Sequence, residues 1–131
     1  MNLRAILPIA VLTLNGCAIS ISDDSPSVTV DSKASYQDAY RRADAFARTC
    51  HSEGNPLAGS FIVSGNLYSD NQTGVVRIQH SSFGKDLMRT EITATPTGSR
   101  SVIRVAGAGM WDERELQAIS GAIRTGTITC R

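Results

Sequence analysis

The side chains best suited to act as nucleophile, base or metal ligand are few: three cysteines, Cys17, Cys50 and Cys130, and two histidines, His51 and His80. Nucleophilic catalysis needs a hydroxyl or thiol beside an oriented base, so His51 or His80 would have to be that base. No G-x-S-x-G is present, and the nearest glycine–serine steps, Gly59-Ser60 and Ser64-Gly65, fall in strand context. His80 closes an alternating stretch on its apolar face and reads as a core or strand-edge histidine. His51 follows a cysteine at the end of a helix, where the negative end of the helix favours it. Cys50, His51, His80 and Cys130 together would make a Cys2His2 zinc set. Their spacing argues against one, because Cys50 and His51 are adjacent and there is no C-x2-C or H-x3-H pair. No metal and no catalytic residue is therefore expected.

The carboxylates point the same way. Glycoside hydrolysis needs two of them across a scissile bond. Asp112, Glu113 and Glu115 cluster, but at a helix start, where capping explains them. Asp23 and Asp24 fall in a Ser-rich stretch and Asp70 in a turn, and neither sits in a calcium-loop pattern. Gly107-Ala108-Gly109 is half of a dinucleotide loop, and Asp112 stands where the last glycine should be. A strand-exit turn is the better reading, and no cofactor is expected. Arg41, Arg42 and Arg48 lie together on one helix. They read as a solvated face or as a contact for an acidic partner or lipid headgroups.

These residues need elements to hold them. Apolar residues at Tyr36, Ala39, Tyr40, Ala43, Phe46, Ala47 and Cys50 step by three and four, the stripe of a helix over Tyr36–Cys50. Ser35 is its N-cap, and Gly54-Asn55-Pro56 stops the chain beyond it. Ser60–Tyr68, Val75–His80, Leu87–Thr95 and Ser101–Ala106 alternate like strands, with turns between them. Gly65 marks a bulge or a close approach. A second helix starts at Asp112, where Glu115 completes a capping box, Trp111 and Leu116 have the spacing of a hydrophobic staple, and Gly126 ends it. Val28–Val30 is read as a short edge strand beside Pro26, and Thr127–Cys130 as a last strand. The order predicts an α+β fold: an antiparallel sheet of four to five strands with two helices packed on one face.

The first 17 residues carry an address. Arg4 precedes an apolar run over Ala5–Leu14, which is too short to span a bilayer and is interrupted by Pro8. Leu14-Asn15-Gly16-Cys17 resembles the lipobox of bacterial lipoproteins. The resemblance implies removal of residues 1–16, lipid attachment at Cys17, and, since Ala18 is not the aspartate that marks inner-membrane retention, the outer membrane. It covers the signal alone, and no family is recognised for the mature domain. The expected organisation is a signal peptide over 1–16, a lipidated cysteine and flexible tether over 17–34, and one globular domain over 35–131. With Cys17 taken by lipid, Cys50 and Cys130 form an even pair in an oxidising compartment, which reads as a disulfide.

Composition bounds the function. The chain is 41% hydrophobic but only 5% aromatic, so its core is aliphatic and thin and benefits from a staple. Removing the signal takes away Arg4 and leaves basic and acidic residues in balance. A neutral domain offers no concentrated basic patch for nucleic acid. The expected protein is a non-enzymatic binding or accessory module anchored to the membrane through Cys17, acting on an envelope protein partner, with its oligomeric state open. The alternatives are a structural subunit of a larger envelope assembly and a small cell-wall-directed hydrolase.

Overall fold

The computed structural model describes residues 20–52, 60–82 and 84–131. The lipobox, Cys17 and the Gly54-Asn55-Pro56 stop lie outside the described residues. Five strands and two helices follow in the order β1 (Ser27–Ser32), α1 (Tyr36–His51), β2 (Phe61–Tyr68), β3 (Thr73–His80), β4 (Asp86–Thr95), β5 (Gly98–Val105) and α2 (Glu113–Thr125). The strands form one antiparallel sheet in the order β1-β5-β4-β3-β2. β2 to β5 make a meander of consecutive hairpins, and β1 returns to pair with β5. Both helices cover the same face, α1 over β2, β3 and β4, and α2 over β1 and β5. This is the expected α+β arrangement.

The helix ends follow their local chemistry. Ser35 Oγ accepts from Asp38 N at the start of α1. Asp112 Oδ1 accepts from the backbone N–H groups of Arg114 and Glu115 at the start of α2, satisfying donors that the first turn leaves without partners. Gly126 ends α2 with φ of 75° and its N–H on Ala122 O, a left-handed cap that glycine adopts without steric cost. The core lies between the helix stripes and the inner sheet face, where Phe46, Ile78, Ile103, Ile119 and Ile123 are fully buried. Thr90 and Ser101 are buried among them, with hydroxyls that meet no protein partner.

Three expectations need correction. The edge strand read over Val28–Val30, inside the segment assigned to the tether, extends over residues 27–32 and pairs from Ser27↔Arg104 to Ser32↔Ser99. The segment before it is also pinned, with Ile21 N bonded to Asp86 O and Val105 N to Pro26 O. The folded body therefore begins well before residue 35. Thr127–Cys130 is not a strand. Both sheet edges lie elsewhere, and the tail is held by side chains: Thr127 N to Thr125 Oγ1, the Cys130 bridge, and Arg131. Finally, Glu115 does not complete a capping box: its carboxylate turns inward.

Candidate functional site

Cys50, near the end of α1, is bonded to Cys130 in the tail, with Cα atoms 5.4 Å apart. The bridge occupies both thiols and removes them from the Cys2His2 zinc set. Among the described residues no group of three or more His, Cys, Asp or Glu is placed to hold a metal.

Beside the bridge lies a polar pair that the sequence pattern did not disclose. His51 Nε2 is 2.5 Å from Glu115 Oε1, and the side chains are 6% and 3% exposed. The imidazole packs 4.7 Å from the Trp111 ring and edge-on to Phe46 and Phe61. Arg131 arches over this cluster. Its Nη1 donates to Asp112 Oδ1 at 2.6 Å and to Met110 O at 3.1 Å, and stands 3.9 Å from Glu115 Oε2. Desolvation pushes the Asp112 carboxyl upward. The Glu115 N–H, the Arg114 side chain, Arg131 and the Arg114 N–H together outweigh it and hold the group below the usual carboxylate range.

A carboxylate-oriented histidine is half of a catalytic constellation. Here the imidazole is shut in by aromatic rings, and the only thiol next to it in sequence is bridged. The geometry instead suits a fastener. A hydrogen bond between the end of α1 and the first turn of α2 satisfies two buried polar groups at once, and the disulfide closes the same corner.

The other residues singled out in sequence are dispersed. Arg41 pairs with Asp38 at 2.7 Å and Arg48 with Asp44 at 2.9 Å, both within α1. The hydrogen bond and charge of Asp44 hold Arg48 above the ordinary guanidinium range. Arg42 reaches across to α2 and donates to Ile123 O at 2.8 Å and Arg124 O at 3.3 Å. A cation there meets the carbonyls and negative dipole at the helix C-terminus. The basic face is thus divided among internal partners. His80, half-buried at the end of β3, accepts from Ser82 N through Nδ1 and meets the Phe61 ring edge-on. Gly107-Ala108-Gly109 forms the strand-exit turn, closed by Gly107 N to Trp111 O.

Among the described residues, one face of the sheet and its β2 edge carry no covering element. Arg77, Arg89 and Arg104 stand directly opposite one another on β3, β4 and β5. Like charges so placed repel, and Asp86 and Glu91 offset part of this at 3.5–3.9 Å from Arg77 and Arg89. The face is otherwise rich in Thr and Ser. The edge strand β2 differs. Its sequence, FIVSGNLY, has no charge and no proline, and Ile62, Leu67 and Tyr68 are 50%, 42% and 45% exposed. Gly65 lies beneath Tyr40, whose hydroxyl would collide with a Cβ at that position. This is the close approach expected there. Desolvation, with Asp44 alongside, raises the Tyr40 hydroxyl above its ordinary value against the opposing pull of Arg48.

No protein-family model, no curated protein and no solved structure matches the chain. Among the described residues no helix is long and apolar enough to cross a membrane.

Proposed function

We propose that the chain is a lipid-anchored envelope lipoprotein whose folded body serves as a non-enzymatic binding or accessory module, held at the outer membrane through Cys17. The observation that carries the binding reading is the β2 edge. Its outward backbone groups and exposed Ile62, Leu67 and Tyr68 offer hydrogen bonds and apolar contact to an added strand. The Cys50–Cys130 bridge supports an oxidising compartment, and Leu14-Asn15-Gly16-Cys17 supports the anchor. The polar open face favours a binder over a permanent subunit, which would bury a broad apolar surface.

Two measurements test this reading. Intact mass of protein from native membranes should show loss of residues 1–16, added acyl chains, and two cysteines that alkylate only after reduction. A photo-crosslinker at Ile62 should capture a protein in native membranes, whereas one at Thr29, on the opposite edge strand, should not. An unacylated chain would remove the anchor, and equal silence at both positions would remove the binding edge.

A further inference from the structure

We infer that the occupant of the β2 edge is a second copy of this chain, paired antiparallel through β2 about a two-fold axis at Gly65. The inference rests on the reading of β2 as a binding edge and names its partner.

The two ends of the sheet are treated differently. β1 is six residues long, is entered through Pro26, and carries Asp31. Shortness, proline and charge are the usual means by which an edge strand is kept from pairing with other chains. β2 has eight residues and none of these features.

The register follows from the backbone. Ser81 N donates to Ser60 O, next to the pair Phe61↔His80. Backbone groups alternate in direction along an antiparallel strand, so even-numbered residues of β2 bond to β3. Those of Phe61, Val63, Gly65 and Leu67 face outward. Side chains alternate too: Gly65 faces Tyr40 and α1, while Ser64 shares the open face with Arg77. With Gly65 opposite itself, Ile62 meets Tyr68 of the other copy on the open face, and Val63 meets Leu67 on the helix side. Each of the three exposed large apolar side chains of β2 then gains an apolar neighbour, β2 itself brings no charge to the seam, and the outward N–H and C=O groups become paired. Aromatic and β-branched cross-strand pairs are favourable. The assembly also closes, because the ten-stranded sheet it creates ends in two copies of the protected β1. An eight-residue edge is a small interface, so the dimer is weak in dilute solution and strengthened wherever copies are concentrated.

The test uses the full chain in two differently tagged forms, one carrying Ser64→Cys and the other Asn66→Cys. In the inferred register Ser64 faces Asn66 of the other copy at a non-hydrogen-bonded position, where Cα atoms lie about 4.5 Å apart, within disulfide reach. When the two forms are mixed under mild oxidation, the cross-link joining one form to the other should exceed by at least tenfold the cross-link of either form to itself. Ile62→Lys, at an exposed position, should weaken self-association in concentrated detergent solution at least tenfold while leaving circular dichroism and melting unchanged. A wild-type chain that sediments as a monomer in concentrated solution, or equal yields of all three cross-links, would overturn the inference. Capture of a different protein by the Ile62 cross-linker, with no self-cross-link, would overturn it and leave the binding reading standing. Silence in every cross-linking experiment would remove both.

Discussion

Glu115→Ala is the most direct probe of the buried corner. The substitution leaves His51 Nε2 without its partner inside a shell of Phe46, Phe61 and Trp111. An orphaned buried polar group costs about 1–3 kcal/mol. The lost side chain is almost wholly buried, and each buried methylene adds ~0.8 kcal/mol. The sum is about 3 kcal/mol, a large part of the ~5–15 kcal/mol that holds a domain together. For a body of this size that corresponds to a fall in melting temperature of roughly 10–15 °C. Glu115→Gln keeps the volume and an acceptor and should cost about 1 kcal/mol. Glu113→Ala, in the same helical turn but exposed, should stay within about 0.5 kcal/mol of wild type. Urea and thermal unfolding followed by circular dichroism, with the disulfide intact, measure all three. Equal melting of Glu115→Ala and Glu113→Ala would refute the fastener reading. The double variant His51→Phe with Glu115→Leu should lose less than the two single changes combined, since removing both polar partners leaves neither unsatisfied.

Three further outcomes are expected. Replacing Cys50 and Cys130 together by alanine should cost about 4.5 kcal/mol on a chain-entropy estimate for a loop of this length, seen as a lower urea midpoint; an unchanged midpoint would show that the bridge is idle. Thr90→Val removes a buried hydroxyl without a protein partner and should stabilise the fold by about 1 kcal/mol; a loss of that size in the same unfolding assay would show that the hydroxyl is satisfied. The Asp112 carboxyl is depressed in the fold, so its contribution is present above the ordinary carboxylate value and lost as pH falls through the lower folded value. Asp112→Asn should therefore lower melting at neutral pH, with the deficit closing in acid; a pH-independent deficit would assign the effect to packing.

Much of the architecture was readable because local signals agreed. The α1 stripe, the caps at Ser35, Asp112 and Gly126, and the alternation in β3 and β4 each reflect interactions within a few residues. The Cys50–Cys130 pair was readable by elimination once Cys17 was set aside. What escaped notice depended on distance in sequence. Glu115 has the spacing of a capping residue, and only the folded corner shows His51 waiting beneath it, 64 residues away. Arg42 looked like part of a surface patch because the carbonyls it satisfies belong to α2. The tail read as a strand because Thr127–Cys130 has strand-like composition, and composition does not reveal that both sheet edges lie elsewhere. The β2 edge was not identified, the only edge strand read from the sequence being Val28–Val30, since edge status is a property of sheet order.

The pairing of β1 with β5 imposes an order of events on folding. Ser27 and Arg104 are far apart in sequence yet paired, whereas β2 to β5 join through short hairpins. Closing a long loop must precede any gain from the contacts it brings. A chain emerging amino terminus first therefore presents β1 well before its partner exists. The meander can assemble while the leading segment waits, and β1 is expected to dock after it. Until then β5 is a second open edge, with neither proline nor shortness to guard it. The interval between formation of the meander and docking of β1 is when the chain is most exposed to misassembly.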